Sequence, residues 1–366
     1  MSTRCPHCSS ANVVRSGFSR YVASYQAGRR QRYLCRICRR RFSQNFFSLS
    51  YRLKKNDPAL NQKIFSLCVH GLSNRAIGRL SFVSPHCVRL RLERMARRAL
   101  EFQAQLLNGI CLSEAICVDG LENFAGSQYD PNNINQAIGR DSLFIYDFNF
   151  ACLNRKGRTS PWQKHRLSQI EKVHGRYDSR AIRHSFKELV TRLLARIDQT
   201  TGRLGLLTDE HFQYRRALSE FPRSVRLDHC TISSKACRNF QNILFSVNHA
   251  DLMIRQQIAA FTRETISFSK TPGAMCQKYA LYMVHKNFMA PQFTKTHVRR
   301  PNAHVESPAQ TIKLTDKILG FPDIFSARSR KAESDLSSEW KCFWHGRVPE
   351  PYHRHPKHRR ERAPSI

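Results

Sequence analysis

Cys5-Pro6-His7-Cys8 and Cys35-Arg36-Ile37-Cys38 are two C-x2-C pairs, and positions 9–34 lie between them. Two thiolates three positions apart on a tight turn face the same ion, and Zn²⁺ prefers four soft ligands in a tetrahedron. The spacing therefore predicts a zinc ribbon over residues 1–50, with the aromatic segment between the pairs as its hairpin. A chance pair or a redox pair is the alternative interpretation. The predicted ligands of this structural Zn²⁺ are Cys5, Cys8, Cys35 and Cys38.

The remaining cysteines give no second pattern of this kind. The chain holds 13 cysteines in 366 residues, an odd number diluted over a long sequence. The first residues lack the apolar run of a secretory signal peptide. Disulfides are rare outside oxidising compartments, so the cysteines are predicted to be reduced thiols in a soluble, cytoplasmic protein.

The charge balance indicates the kind of partner. Lys and Arg number 61 against 27 Asp and Glu, which leaves a net charge of +34 and a sequence pI near 10.4. Such an excess makes the compact state repel itself unless anions lie nearby, so nucleic acid or an anionic membrane surface is implied. No stretch approaches the length of apolar sequence that spans a bilayer, which favours nucleic acid and no membrane partner.

A helical pattern follows the ribbon. From Asp57 to Leu100 apolar residues recur at helical spacing, which predicts three short helices in a DNA-binding domain over residues 56–105. Ser84 is a good N-cap and Pro85 suits the first helical position, so a helix should begin there after a tight turn, as in a helix-turn-helix. A three-helix bundle with a solvated basic face is the alternative. The side chains predicted to contact DNA are Arg75, His86 and Arg89, with Arg91 also facing outward.

The remainder of the chain predicts a multidomain protein. Residues 110–295 alternate β-rich runs with helical ones, which indicates a mixed α/β domain. Residues 296–366 are expected to be a loop-like extension that ends in a basic, partly disordered tail.

Three aspartates stand beside apolar runs of this α/β region. Asp119 follows the run Ala115–Val118 and Asp209 follows Leu204–Thr208, so each is predicted to end a strand. Asp251 lies near the expected start of a helix. Two strand-end carboxylates and a helical one can meet at one face of a sheet and hold two Mg²⁺ ions, an arrangement that cleaves and joins phosphodiesters. Taken singly, each aspartate is better explained as a turn former or a helix cap than as a metal ligand.

The residues around these aspartates resemble the transposases of bacterial insertion sequences that have a DDE catalytic core. The resemblance covers about residues 1–325, with ribbon, helix-turn-helix and acidic core in the order of that family. The motifs that carry it are Asp119-Gly-Leu-Glu-Asn-Phe with Ser127-Gln128-Tyr129, Thr208-Asp209-Glu-His-Phe-Gln-Tyr214, Asp251-Leu-Met-Ile-Arg255, the run from Arg263 to Lys270, and Ser307-Pro-Ala-Gln with Leu314-Thr-Asp316.

The resemblance implies an RNase H-like catalytic domain, dependence on two Mg²⁺ ions and recognition of the element's terminal inverted repeats. It implies that Asp119 and Asp209 are the first two metal ligands. Many relatives have Glu as the third, and alignment on Arg255 places that Glu near Asn248. Residues three apart share a helix face, so Asp251 is the predicted third ligand and Glu122 its reserve.

Further basic residues are predicted to hold DNA phosphates. Those of the ribbon crowd its second knuckle, and those of the core are expected to fall on one side of a helix. A solvated basic face is the alternative. These residues are Arg36, Arg39, Arg40 and Arg41 in the ribbon, and Arg255, Arg263 and Lys270 in the core.

The sequence thus predicts a transposase that cleaves and transfers DNA strands. Its expected partners are duplex DNA, as element ends and target, and other copies of itself on that DNA. Its expected location is the bacterial cytoplasm, in association with the nucleoid. The main rival is a non-catalytic or decayed DNA-binding protein, which Asn248 favours. A zinc-bearing RNA-binding protein is less favoured, because no aromatic RNA-binding motif is present.

Overall fold

The structure of the chain is a computed structural model. It describes residues 4–23, 26–51, 53, 57–198, 202–262, 265, 267–292, 305–329 and 336–349. The basic tail predicted at the C-terminus lies outside these described residues, as does Arg263.

The N-terminal segment forms a small antiparallel sheet in the order β1-β2-β3. A bulge interrupts β1 between Arg15 and Phe18, where Gly17 adopts a φ of 73° that a residue with a side chain rarely adopts. Phe42 packs with the buried Cys5 and Cys35 in a core separate from that of the rest of the chain. The strands are β1 (Val13–Ala23), β2 (Gln26–Cys35) and β3 (Arg41–Ser43).

Three helices follow, and polar caps fix where each begins. The side chains of Asp57, Ser73 and Ser84 accept hydrogen bonds from backbone amides in the first turn of the helices that follow them. The helix start predicted at Ser84 and Pro85 is therefore confirmed. The third helix is not short, because it continues to Leu107. The helices are α1 (Pro58–Val69), α2 (Asn74–Leu80) and α3 (Pro85–Leu107).

A five-stranded mixed sheet forms the centre of the molecule, in the order β6-β5-β4-β7-β8. Strands β4, β5 and β6 pair antiparallel as a meander. Strand β7 pairs parallel to β4, and β8 pairs parallel to β7. The strands are β4 (Ile116–Phe124), β5 (Pro131–Gly139), β6 (Ile145–Cys152), β7 (Leu204–Asp209) and β8 (Leu227–Ile232).

Helices cover both faces of this sheet. Neighbouring residues of a strand point to opposite faces. Asn135 of β5 donates a hydrogen bond to Ser185 on one face, and Gln136 donates to Asp251 on the other. The helices of this region are α4 (Pro161–His174), α5 (Ala181–Leu194), α6 (Phe212–Leu218), α7 (Phe245–Gln257) and α8 (Pro272–Val284).

The described part of the C-terminal region, residues 305–329 and 336–349, is packed rather than loop-like, contrary to the expectation for residues 296–366. It contains the short helices α9 (Pro308–Thr311), α10 (Phe321–Phe325) and α11 (Ser338–His345). Trp340 and Trp344 are buried, and the guanidiniums of Arg97 and Arg98 on α3 donate to the carbonyls of Trp344 and Ile324 at 2.7 and 2.9 Å. The long α3 thus links this region to the N-terminal helices.

One hydrophobic core runs through α1 to α3, the five-stranded sheet and α8 to α11. Ile64, Met95, Phe148 and Phe288 all belong to it. Among the described residues, the ribbon has its own smaller core, and the predicted boundary at residues 105–110 does not interrupt the larger one. The mixed α/β class with a small cysteine-bearing N-terminal sheet is confirmed at this level of detail. No described helix combines the length and the apolar content needed to cross a lipid bilayer.

Candidate metal centres and nucleic-acid interface

The four cysteines of the ribbon converge on one point. Their sulfur atoms all lie within 4.8 Å of one another, and the Cys5–Cys38 and Cys8–Cys35 sulfurs are each 3.5 Å apart. A tetrahedral ion with Zn–S bonds of about 2.3 Å would place its ligands about 3.8 Å apart. A disulfide would require about 2.05 Å. The four side chains are therefore positioned to bind a metal ion and fit a structural Zn²⁺.

The two knuckles have the same backbone design. The residue after each second cysteine, Ser9 and Arg39, has a left-handed φ of 59° and 55°. In each knuckle the amide of the first cysteine donates to a carbonyl five residues later, from Cys5 to Ser10 at 2.8 Å and from Cys35 to Arg40 at 3.0 Å. The hydrogen bond from the Cys38 amide is the main factor that lowers the pKa of the Cys35 thiol to about 6. A thiolate ligand is thus accessible at neutral pH.

Asp119, the first of the three predicted Mg²⁺ ligands, lies within a strand rather than at its end. The strand β4 continues five residues further, to Phe124, paired with β5 alone. Its pairing with β7 ends at Cys117 and Leu207, so Asp119 and Asp209 each lie two residues beyond the last pair of parallel neighbours. The two aspartates therefore lie level on adjacent strands. We call this side of the sheet, where β4, β6 and β7 end, the acidic edge.

Asp251 reaches the same place from helix α7. Asp119 lies directly opposite Gln136 in the β4–β5 ladder. Gln136 Nε2 donates to Asp251 Oδ1 at 2.5 Å, and Gln136 Oε1 accepts from Tyr279 Oη at 2.7 Å. Gln136 and Tyr279 are fully buried. This relay fixes the carboxylate of Asp251 on the face of the sheet that carries Asp119.

The electrostatics show that the carboxylates share one environment. Burial, followed by the negative charges of Asp251 and Asp209, raises the pKa of Asp119 to about 7. The buried phenol of Tyr214 has a pKa raised well above its usual value, by burial first and then by these three aspartates and Glu122. Tyr214 lies in the first turn of α6, five residues after Asp209. A cation at the acidic edge would relieve this repulsion.

The acidic edge is wider than a site for one ion. Of the residues that the structure describes, only the ribbon cysteines form a group of three or more potential ligands within 4.8 Å. Two Mg²⁺ ions about 3.5 to 4 Å apart, each about 2.0 to 2.1 Å from its oxygens, span up to about 8 Å between outer ligands. Asp119, Asp209 and Asp251 are therefore not close enough together to bind one ion in this arrangement.

No known family model matches this chain.

The basic residues predicted for the ribbon and the helix-turn-helix lie at the surface. Arg89 on α3 donates to the carboxylate of Glu93 at 3.4 Å. Arg91, which was expected to face outward, is instead buried, and its guanidinium donates to Ser50 Oγ at 2.9 Å and Asn61 Oδ1 at 2.5 Å. The exposed residues are Arg36, Arg39, Arg40, Arg41, Arg75, His86 and Arg89.

The basic residues predicted for the core do not share one helix. Helix α7 ends at Gln257, and Lys270 follows in the segment before α8, exposed, with its ammonium 3.7 Å from the Phe268 ring centroid. Arg255 is half-buried and donates to the carbonyls of Phe261 at 2.9 Å and Glu122 at 3.3 Å. Arg255 therefore ties α7 to β4, which is a structural role.

Sequence reasoning missed the residues that orient the acids. Gln136 and Tyr279 lie on elements without a recognised motif. The His211 amide donates to Asp209 Oδ1 at 3.0 Å, and Asp209-Glu210-His211 was part of the quoted motif. The signal in this case was an Asx-turn, in which the side chain of an aspartate accepts a hydrogen bond from the backbone amide two residues later.

Proposed function

We propose that this chain is a DDE-type transposase of an insertion sequence, which cleaves and transfers DNA strands with Mg²⁺. The observation that carries the proposal is the approach of Asp119, Asp209 and Asp251, which are far apart in sequence, to the acidic edge of one sheet. The repulsion between these carboxylates favours a cation among them, and the net charge of +34 favours a polyanion as the partner.

The topology supports the finer assignment of an RNase H-like core. A three-stranded antiparallel meander is followed by two parallel strands that add on the other side of the first strand. The resemblance to DDE transposases implies this type of sheet. Asp119 lies on the central strand, β4, and Asp209 lies at the end of the neighbouring parallel strand, β7.

The residues at the acidic edge fit Mg²⁺, which prefers carboxylate oxygens. Asp119, Asp209 and Asp251 would hold it, and when bound it supplies activation of the attacking oxygen and charge stabilisation at the leaving oxygen. The chain's own groups prepare the ligands. The His211 amide orients Asp209, and Gln136 orients Asp251. Asn248 lies one turn before Asp251. Among the described hydrogen bonds, none orients the Asn248 side chain as Gln136 orients Asp251.

The N-terminal modules supply the DNA-binding half of the proposal. The ribbon, stabilised by Zn²⁺, and α2 with the start of α3 expose arginines suited to phosphates and to a groove. We propose that they bind the element's terminal inverted repeats and that copies of the chain assemble on that DNA. The catalytic edge would then act on the ends and on target DNA in the bacterial cytoplasm.

A nicking assay tests the catalytic proposal. Supercoiled plasmid carrying the gene with its flanking DNA is incubated with full-length protein and Mg²⁺. Asp119→Asn, Asp209→Asn and Asp251→Asn are each expected to lose nicking, because each removes a ligand. Asp228→Asn is the matched control, since Asp228 lies on adjacent β8 but is exposed and paired with Arg203. Equal nicking by all five proteins would assign the activity to a contaminant and remove the proposal.

The rival is a DNA-binding protein without catalysis, either a regulator or a decayed transposase. Asn248 and the width of the acidic edge favour it. It predicts repeat-specific DNA binding by the wild-type protein with no Mg²⁺-dependent nicking. Asn248→Glu is then informative, because restored nicking in that variant would identify a decayed active site.

The relay to Asp251 makes a separate prediction. Gln136→Leu removes the amide that donates to Asp251 and is expected to raise the Mg²⁺ concentration for half-maximal nicking about 10- to 100-fold, as for other residues that support a metal ligand. High Mg²⁺ should restore most of the rate. Tyr279→Phe keeps that donor and should have a smaller effect. An unchanged Mg²⁺ midpoint in a folded Gln136→Leu protein would contradict the positioning role.

A further inference from the structure

The segment between β6 and α5 forms a long loop whose two ends are held together by hydrogen bonds. Asn154 Nδ2 donates to the Tyr177 carbonyl at 2.9 Å, and the Tyr177 amide donates to Asn154 Oδ1 at 2.9 Å. These two hydrogen bonds hold the ends of residues 155–176 together. Helix α4 lies within this loop and begins with a capping box formed by Ser160 and Gln163. We call residues 155–176 the α4 arm.

The α4 arm has an unusual surface. No residue of α4 is buried, so the helix contributes nothing to the core. Trp162, in its first turn, is 60% exposed, whereas the other two tryptophans, Trp340 and Trp344, are each 4% exposed. Exposing an indole ring to water is unfavourable. The arm also holds seven Lys or Arg residues against the single acid Glu171.

The arm begins on the side of the sheet where β4, β6 and β7 end, and β6 ends four residues beyond Phe148, its residue level with Asp119. Strands β4 and β6 both pair antiparallel to β5, so their C-terminal ends meet at one side of the sheet, together with the end of β7. The arm begins three residues after β6 ends. Arg155 Nη1 donates to the Gln128 carbonyl at 2.9 Å, which ties the start of the arm to the turn that follows β4.

We propose that the α4 arm is a DNA-contacting surface in which Trp162 stacks on an unpaired base beside the catalytic edge. This inference rests on the proposed function and deepens it. The basic side chains match a phosphate backbone, and an exposed ring among them matches a base face. Such stacking requires a base outside the duplex, as at a nicked or frayed end. Lys156, Lys164 and Lys172 are exposed and supply the phosphate contacts.

A protein partner fits the arm less well than DNA. The exposed apolar side chains of α4, Trp162 and Val173, lie near opposite ends of the helix, and Arg166 and Gln169 lie between them on the same helix face. They form no continuous apolar patch of the kind that marks a protein interface. Basic side chains around an exposed aromatic ring are typical of surfaces that bind single-stranded nucleic acid.

Tryptophan fluorescence tests the proposal in the full-length, zinc-loaded protein. The probe is a duplex with a single-stranded overhang, compared with the same duplex made blunt, in buffer without Mg²⁺. The overhang DNA is expected to quench emission and to protect it from iodide. Trp162→Phe should lose the quenching, since the remaining tryptophans are buried. Trp162→Ala should weaken overhang binding roughly tenfold, the scale of one stacked base.

Controls separate the arm from the rest of the molecule. Val173→Ala alters an exposed apolar residue at the other end of α4 and should leave the affinity unchanged. Unchanged melting temperatures establish that each variant is folded. DNA binding with unaltered Trp162 emission and unaltered Trp162→Ala affinity would overturn the proposal. The failure of catalysis is distinguishable, because quenching by overhang DNA without any Mg²⁺-dependent nicking would support the arm and reject only the transposase activity.

Discussion

The Asp119→Asn variant is expected to be more stable than the wild-type protein at pH 8 in the absence of Mg²⁺ and to be inactive in strand cleavage. The two effects have one cause, the crowding of carboxylates at the acidic edge. Loss of a metal ligand removes several kcal/mol of transition-state stabilisation, and about 1.4 kcal/mol corresponds to tenfold in rate. Nicking should fall by a factor on the order of 1000 or more.

The gain in stability follows from the raised pKa of Asp119, about 7 in the folded chain against an ordinary 3.8. Between these values the folded state binds the proton and the unfolded state does not. The free energy of unfolding therefore decreases as the pH rises from about 4 to 7 and stays low above it. Each pKa unit corresponds to about 1.4 kcal/mol, and the half-buried carboxyl keeps some solvation. Asparagine should gain about 1 to 3 kcal/mol at pH 8.

Urea unfolding at several pH values measures this gain, in buffer that retains Zn²⁺ but contains no Mg²⁺. The two proteins should agree near pH 4 and differ most above pH 7. Addition of Mg²⁺ should stabilise the wild type by ligand binding and leave Asp119→Asn unchanged. A variant that is less stable at pH 8, or that responds to Mg²⁺ as the wild type does, would contradict a cation site at the acidic edge.

Local chemistry explains what the sequence could predict. The C-x2-C spacing is a property of one tight turn, and both knuckles form it. The cap at Ser84 and the proline after it fix a helix start without long-range contacts. The strand before Asp209 is a continuous apolar run that ends in a polar turn. In each case, a few consecutive residues contain the whole signal.

Strand β5 shows why the rest was missed. Its sequence, Pro131–Gly139, is rich in Asn and Gln, although most of the strand is buried. Asn135 Nδ2 donates to Asn149 Oδ1 on β6 and to Ser185 Oγ on α5, and Asn149 Nδ2 donates to the Ser185 carbonyl. No local sequence pattern encodes these partners. Without β5, β4 could not be followed to Phe124, and Asp119 was placed at a strand end. The partner of Asp251, Gln136, was lost for the same reason.

Tertiary burial also overrode expectations drawn from charge. Arg91 has the spacing of a surface residue of α3, yet it bonds to Ser50 and Asn61 and fastens the end of the ribbon segment to the helix. Arg94 does the same through the carbonyls of Leu49 and Tyr51. The long side chain of an arginine can place its guanidinium away from the helix face on which its Cα lies.

Removal of zinc is expected to unfold the ribbon and leave the larger core folded. The ribbon's own core consists of Cys5, Cys35 and Phe42 with a few half-buried neighbours. Burial of one Phe contributes only about 1.5 to 3 kcal/mol. Structural Zn²⁺ contributes about 10 to 16 kcal/mol in small zinc modules. The metal therefore supplies most of the ribbon's folding free energy, whereas the continuous core of the sheet and helices does not depend on it.

Hydrogen exchange in β1 and β2 measures this dependence. Cys35→Ser, or a zinc-selective chelator, should remove amide protection there, release one Zn²⁺ per chain and leave α3 and β4 protected. Cys237→Ser is the matched control, because Cys237 is an exposed thiol outside the ribbon. Weaker DNA binding should accompany the loss, since the arginines beside Cys38 would no longer share one surface. Protected β1 and β2 amides in the metal-free protein would show that a ribbon of this size folds without its ion.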